Sequence, residues 1–261
     1  MQRPKLYIYG AGELGLRVLQ RWCERGGEAR GYTATTTRHE QIRVAGGEAK
    51  VGSPADDLSA DDYLLISLPG NRAQHQAVQT LVNTRCARSV FVSSTGFFGK
   101  PSGIVNEQTP AGDSEHAKNI AHAEHAFRQW VGNRGSVIRL GGLYRPDRGP
   151  MSALIRRGYP PPGPGDRTLG LIHYDDAAQG IVNAFETSEL ETLYVGVTVP
   201  CPSREAFYQL ACASAGLPPP TFDQVFGKPL AQYDTARWQT LVPEPRYPDW
   251  RAATNTTEKS G

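Results

Sequence analysis

The chain has 261 residues, enough for one large α/β domain or a core with a smaller lobe. Its 28 Lys and Arg against 26 Asp and Glu leave a formal charge of +2, which removes the electrostatic case for nucleic acid or an anionic membrane as partner. No stretch approaches the roughly 18 uninterrupted apolar residues of a membrane span, and the start, Met1-Gln2-Arg3-Pro4-Lys5, lacks the apolar core of a signal peptide; the expectation is a cytoplasmic protein acting on a small molecule, its oligomeric state unreadable.

Leu6-Tyr7-Ile8-Tyr9 is the first predicted strand. A helix over 13–25 follows, with Leu14, Val18 and Trp22 recurring every four residues and Gly26-Gly27 as its stop. Residues 29–34 read as a weaker second strand. Tyr63-Leu64-Leu65-Ile66-Ser67-Leu68 is a strong one, ended by Pro69-Gly70 and followed by a helix over 72–82. Val90-Phe91-Val92-Ser93 is a strand, 115–130 a helix and Val137-Ile138-Arg139-Leu140 the next strand. Strands that are apolar on both faces and separated by helices predict a parallel, doubly wound Rossmann sheet, with ligands at the edge formed by the strand C-termini.

After about residue 145 the pattern changes. Pro160-Pro161-Pro162-Gly163-Pro164-Gly165 is excluded from helix and central strand, and reads as a loop bordering a substrate pocket or as a plain surface connection. A helix starts near Asp175 or Asp176, Leu193-Tyr194-Val195-Gly196-Val197 returns as a strand, and Ser203 caps a helix ended by Gly216. Tyr247-Pro248-Asp249-Trp250-Arg251 is expected to fold back, because an exposed aromatic cluster is a liability. The domain expectation is a cofactor-binding core over 1–150, a smaller C-terminal substrate lobe over 151–253 whose segment 170–200 returns to the core, and a disordered polar tail over 254–261.

The four cysteines show no Cys-x-x-Cys spacing, and Cys23 and Cys212 sit among apolar neighbours as small hydrophobes. His116, His122 and His125 share a predicted helix without a further ligand nearby, so no metal is expected. There is neither a phosphate loop with Gly-Lys-Ser/Thr nor a Gly-x-Ser-x-Gly nucleophile elbow.

The informative motif is Gly10-Ala11-Gly12-Glu13-Leu14-Gly15, set between an apolar strand and an amphipathic helix. In a dinucleotide site of this kind Gly10 permits the tight turn, Gly12 lets the backbone approach a diphosphate and Gly15 lets helix and strand pack closely. The helix N-terminus then meets the phosphate charge. An NAD site usually places Asp or Glu after the second strand to bind the ribose 2′-hydroxyl. Here the segment reads Tyr32-Thr33-Ala34-Thr35-Thr36-Thr37-Arg38, with no acid before Glu40. Hydroxyls and an arginine fork suit a 2′-phosphate, so NADP is expected over NAD, with Thr37, Arg38 and Leu68 joining the turn residues as cofactor contacts. The alternative reading leaves Arg38 as a solvated loop residue.

With Ser93-Ser94-Thr95-Gly96-Phe97-Phe98-Gly99 added, the chain resembles the extended-type short-chain dehydrogenase/reductases, the epimerase/dehydratase-like group, and most of all their atypical members with Gly-x-Gly-x-x-Gly. Val137 to Pro146 and Ile172-His173-Tyr174-Asp175-Asp176-Ala177-Ala178 extend the resemblance over about residues 5–250. It implies that Ser94 is the catalytic hydroxyl, with Thr95 as a neighbour able to share the task. It also implies a helix starting at the His-x-Asp-Asp stretch beside the active-site edge; the residues themselves read more simply, with Asp175 or Asp176 as the cap and His173 packed under the sheet edge. The family's Tyr-x-x-x-Lys pair is missing: counted back from Ala123-Glu124, the tyrosine position holds His116 and the lysine position Ile120, while Lys118 falls on another helix face. His116 is a candidate proton carrier because imidazole titrates near neutral pH; Tyr144, Tyr174, water or the substrate are the alternatives.

Three functions remain: an NADP-dependent oxidoreductase moving a hydride to or from a small carbonyl or alcohol, a non-catalytic NADP(H)-binding sensor or regulatory protein, and a nucleotide-sugar epimerase or dehydratase. Loss of the tyrosine weighs most against the last, which needs a strong base.

Overall fold

The computed structural model describes residues 3–145, 147–157, 164–222 and 225–254. In chain order the elements are β1 (Leu6–Tyr9), α1 (Glu13–Glu24), β2 (Ala29–Thr33), α2 (His39–Val44), β3 (Glu48–Val51), β4 (Tyr63–Ile66), α3 (Asn71–Leu81), β5 (Arg88–Ser94), β6 (Gly103–Val105), α4 (Glu115–Val131), β7 (Gly135–Leu140) and β8 (Gly142–Tyr144). They continue with α5 (Pro150–Arg157), β9 (Leu171–His173), α6 (Tyr174–Glu186), β10 (Leu193–Gly196), α7 (Arg204–Ser214), β11 (Ala231–Tyr233) and α8 (Ala236–Leu241).

Seven strands form one parallel sheet in the order β10-β7-β5-β4-β1-β2-β3. The chain runs outward from β1 through β2 to β3, then crosses back to β4 on the other side, so the winding reverses between β1 and β4. Loops diverge from the C-terminal ends of those two strands and leave a crevice there. The sheet is covered on both faces, as its apolar strands require. One cluster, including Val18, Trp22, Ile181 and Phe185, packs α1 and α6 on one face; the other, including Val78, Phe91 and Phe127, packs α3 and α4 on the opposite face.

A polar seam fixes how α1 and α6 lie together. Arg17 meets Asp175 at 2.6 Å, Arg21 meets Gln179 at 3.2 Å and Arg25 meets Asn183 at 3.1 Å. Both partners step by four residues, so one row of each helix faces the other. Two short parallel pairs, β6 with β11 and β8 with β9, lie outside the main sheet. A separate cluster of Tyr144, Met151, Leu154, Phe207 and Trp250 gathers α5, α7 and the 3-10 turn Trp250–Thr254.

Several elements have no sequence signal. β3 reads Glu-Ala-Lys-Val and is mostly exposed, because an edge strand needs no continuous apolar run. α2 and α8 have six residues each, too short for a helical period to register. Elsewhere the caps follow the chemistry: Ser203 accepts from the Ala206 amide at 3.0 Å, and Gly26 turns the chain with φ +79°. The cap of α6 departs from expectation. His173, not Asp175 or Asp176, caps the helix, its Nδ1 accepting from the Asp175 amide at 3.1 Å. Asp175 is drawn instead to Arg17, and Asp176 accepts the amides of Arg246 and Tyr247 at 2.8 and 3.0 Å. The expected inward packing of the 247–251 segment is present: Tyr247 stacks on His173 and Trp250 lies against Phe207. Of the proline-rich run, 160–163 lie outside the described residues, as does 255–261. No described helix is long and apolar enough to cross a membrane.

Candidate functional site

The glycine turn sits where β1 gives way to α1, facing the loop after β4. Gly10 has φ +96°, a conformation only glycine adopts cheaply, and a Cβ there would stand 2.7 Å from the Ser67 carbonyl oxygen. At Gly15 a Cβ would stand 2.5 Å from the Gly10 oxygen, so this residue sets the closeness of helix and strand. Gly12 is different: a Cβ there would meet nothing within 4 Å. It borders open space on both sides of the crevice, which a side chain would fill. The amides of Gly10 and Ala11 donate to the Tyr32 carbonyl, whereas the first turn of α1 has no side-chain cap and offers its amides to a ligand. Gly31 on β2 makes the turn possible from behind, since a Cβ there would lie 2.8 Å from that of Ala11.

On one side of Gly12 lies a cavity of about 860 Å³. Its walls bring together Gly10, Ala11, Thr37, Arg38 and Leu68 from the predicted set, with Tyr32, Thr33, Thr35 and Ser53. No Asp or Glu lines it among the described residues. Hydroxyls organise the rim: Thr33 Oγ1 donates to the Thr35 carbonyl at 2.7 Å and lies 3.0 Å from His39 Nε2, and the Thr35 and Thr37 hydroxyls are 3.1 Å apart. Arg38 extends over this rim, touching Gln41 at 3.3 Å and Glu13 at 3.8 Å. Glu13 also meets Arg17 at 3.4 Å and Arg145 at 3.5 Å, so one carboxylate tethers three guanidinium groups near the turn.

On the other side is a cavity of about 350 Å³ bordered by Glu13, Leu14, Ser94, Ile120, Leu143 and Tyr174, among others. Ser94 closes β5 and is exposed. Its oxygen accepts the Gly96 amide at 3.0 Å, capping the 3-10 turn Thr95–Phe98. With its oxygen anchored in this way, the hydroxyl hydrogen is left to donate into the cleft. Thr95 and His116 are not on this wall. The Thr95 side chain faces Tyr233, whose hydroxyl is pushed up to about 12, mainly by burial. His116 is exposed and stands across Gly96: a Cβ on that glycine would be 3.1 Å from His116 Nε2 and 3.3 Å from Ser94 Oγ. Ile120, one helical turn further along, presents an aliphatic group to the cleft. Of the two alternative tyrosines, Tyr144 is almost fully buried against His173, its hydroxyl without a partner and its pKa raised by burial. Tyr174 borders the same cavity as Ser94.

A buried polar chain supports this end. Ser93 donates to Glu124 Oε1 at 2.6 Å, and Arg139 clasps the same carboxylate through Nε at 3.0 Å and Nη2 at 2.7 Å. Both charged side chains are 3% exposed. The Arg139 guanidinium carbon then lies 3.2 Å from the centre of the Phe97 ring, so the pair fixes β5, α4 and the turn after Ser94 relative to one another. Gln74 ties the loop after β4 to β5, donating to the carbonyls of Leu68 and Val92 at 3.0 and 2.8 Å. Sequence reasoning does not find Gln74, because a polar residue in an amphipathic helix reads as solvent-facing. Behind α6, burial pulls the His173 imidazole down to about 4, so the ring is neutral and its Nδ1 is free to cap.

No family model matches the chain. It is 28% identical over 239 residues to protein YeeZ of Escherichia coli K12, covering 84% of this chain and 86% of that protein. Human epimerase family protein SDR39U1, solved with NADPH, superposes with a TM-score of 0.74 at 17% identity over 96% of this chain and 98% of its own. UDP-glucuronic acid 4-epimerase from Bacillus cereus, solved with UDP-glucuronic acid and NAD, gives 0.75 at 16% identity over 97% of each chain. The chain therefore has the fold of the epimerase/dehydratase-like, extended-type short-chain dehydrogenase/reductases.

Proposed function

We propose that the protein is an NADP-dependent oxidoreductase acting on a small carbonyl or alcohol compound. The observation that carries the reading is the division of the crevice at Gly12: a ribose wall of hydroxyls and Arg38 without a carboxylate on one side, and the Ser94 hydroxyl on the other. The residues fit the cofactor. The open face of Gly12 and the uncapped start of α1 suit a diphosphate, and Arg38 with Thr35 and Thr37 suits a 2′-phosphate. When bound, NADPH supplies the hydride for reduction at a carbonyl carbon. Ser94 holds the carbonyl oxygen by hydrogen bond, and Ile120, Leu14 and Leu143 keep water from that side. Tyr174 is the hydroxyl on the same wall that delivers the proton completing the alcohol.

The test is consumption of NADPH across a panel of small ketones and aldehydes. Ser94→Ala should lower kcat about 100-fold, the scale of one lost donor to a developing oxyanion, with NADPH affinity unchanged. Undiminished turnover in that variant removes Ser94 from the reaction. The aliphatic Ile120 in place of a lysine favours a second reading, a protein that binds NADP(H) without turning it over. Tight NADPH binding with no turnover of any panel member would select it.

A further inference from the structure

A third cavity, of about 520 Å³, abuts the cleft at Gly96. Its wall carries Lys100, Arg167, Lys228 and His116, and one carboxylate, Asp113. We infer that this cavity receives an anionic group of the substrate, a carboxylate or a phosphate, gripped by Arg167 with Lys100 and Lys228 while the reacting oxygen faces Ser94. The inference rests on the oxidoreductase reading and adds to it the substrate class.

Three observations converge on the cavity. The first is charge without counter-charge. None of Lys100, Arg167 and Lys228 has a carboxylate within ion-pair distance among the described residues. Elsewhere this chain pairs its arginines freely, as Glu13 and Glu124 illustrate. Lys100 and Lys228 are exposed and alone would be ordinary solvated surface. Arg167 is not: it is half-buried, and its Nη2 is fixed on the Gly99 carbonyl at 2.8 Å. Burial holds its pKa below the usual arginine range, and the neighbouring Arg204 acts in the same direction against Tyr233. A guanidinium withdrawn from water with no counter-ion is a desolvation cost that a bound anion would offset. Its planar fork matches the paired oxygens of a carboxylate or phosphate.

The second observation is continuity. Ser94 Oγ and His116 Nε2 flank the position of a Gly96 Cβ at 3.3 and 3.1 Å. Only a glycine separates the reacting hydroxyl from the cationic cavity, so one small molecule can touch both. The third is backbone polarity. α4 begins at this wall, with Ser114 capping the Ala117 amide at 3.2 Å, and the positive end of a 17-residue helix adds to the side-chain charge.

The experiment uses the whole chain, by calorimetry with and without saturating NADPH. The probes are 2-oxobutanoate against its methyl ester, and dihydroxyacetone phosphate against dihydroxyacetone. At least one anion should bind ten or more times tighter than its uncharged partner, and which arm responds separates carboxylate from phosphate. Arg167→Gln should weaken that anion about tenfold, the order of one lost charged hydrogen bond, with NADPH affinity unchanged. Lys100→Gln and Lys228→Gln, at exposed positions that folding does not require, should weaken it a few-fold. Asp113→Asn should strengthen it, because it removes the one opposing charge. Equal affinity for charged and uncharged probes, or full anion affinity in the Lys100→Gln/Lys228→Gln and Arg167→Gln proteins, overturns the inference. Anion binding without turnover would instead defeat the oxidoreductase reading and leave the cavity assignment standing. Turnover of uncharged carbonyls with no anion preference would do the reverse.

Discussion

At the Arg38 end of the cleft the wall is mainly backbone and short side chains, positioned by a turn in which Gly10 and Gly15 each answer to a steric demand and Gly12 borders open space. At the Ser94 end the wall is assembled from β5, α4, the loop after β8 and the start of α6, and it is held from beneath by a buried charge pair. The first end is the more local: ten of its lining residues fall within 9–38, and the rest come from 52–80. The second draws on residues as far apart in the chain as Glu13 and Tyr174, with Ser94 between them. A site built locally tolerates change elsewhere in the chain, whereas one built from distant segments depends on the packing that brings them together.

That contrast can be tested from its strongest point. Gly12→Val should abolish measurable NADPH binding while leaving thermal stability close to the parent, because the new side chain enters open space rather than the protein. A large loss of stability would mean that Gly12 is a packing glycine like Gly15, and would return the turn to a purely structural role. At the other end the order reverses. Glu124→Ala strands Arg139 in the core and should cost about 3–5 kcal/mol of stability, read as a large fall in Tm, with the turn after Ser94 losing its support. A Tm within a degree or two of the parent would show that this end is not held by the pair.

Legibility in the sequence follows the same division. The turn, the strand before it and the helix after it are readable because each residue's reason is a neighbour within a few positions: Gly10 for its φ, Gly15 for the Gly10 oxygen, Val18 and Trp22 for the sheet. Ser94 is singled out by the resemblance of Ser93 to Gly99 to a known family, and the helix start near residue 174 by the stretch around it. The identity of the α6 cap was not readable, since a neutral histidine and an aspartate both fit an N-cap and the choice is made by Arg17 reaching across from α1. Arg139 interrupts an otherwise apolar strand, and its partner lies 15 residues earlier on α4, so only the fold shows them joined. Arg167, Lys100 and Lys228 lie in segments without periodicity, where no pattern announces that they share a cavity.

Returning to the first end, Arg38 supplies the next test. Arg38→Ala should weaken NADPH about tenfold or more, the range of charged hydrogen bonds, and leave NADH nearly unchanged. Equal losses for both nucleotides would place Arg38 on the diphosphate or outside the site, and would remove the case for NADP.

The smallest effect concerns what Arg38 does before a phosphate arrives. Glu13 lies 3.8 Å from it and also draws Arg17 and Arg145, all partly exposed to solvent. Ion pairs of this kind contribute about 0.2–1 kcal/mol, so a phosphate must compete with Glu13 only weakly, and the carboxylate also repels it. Glu13→Gln should therefore raise NADPH affinity by about two- to fivefold, and NADH affinity less, because the released Arg38 benefits only the nucleotide with a 2′-phosphate. Raising ionic strength should shrink the difference between variant and parent, since the pair is screened. If Glu13→Gln instead weakens NADPH, the carboxylate is positioning Arg38 for the phosphate rather than competing for it. The double variant Glu13→Gln/Arg38→Ala separates the two cases: a competing carboxylate loses its effect on the NADPH-to-NADH ratio once Arg38 is gone.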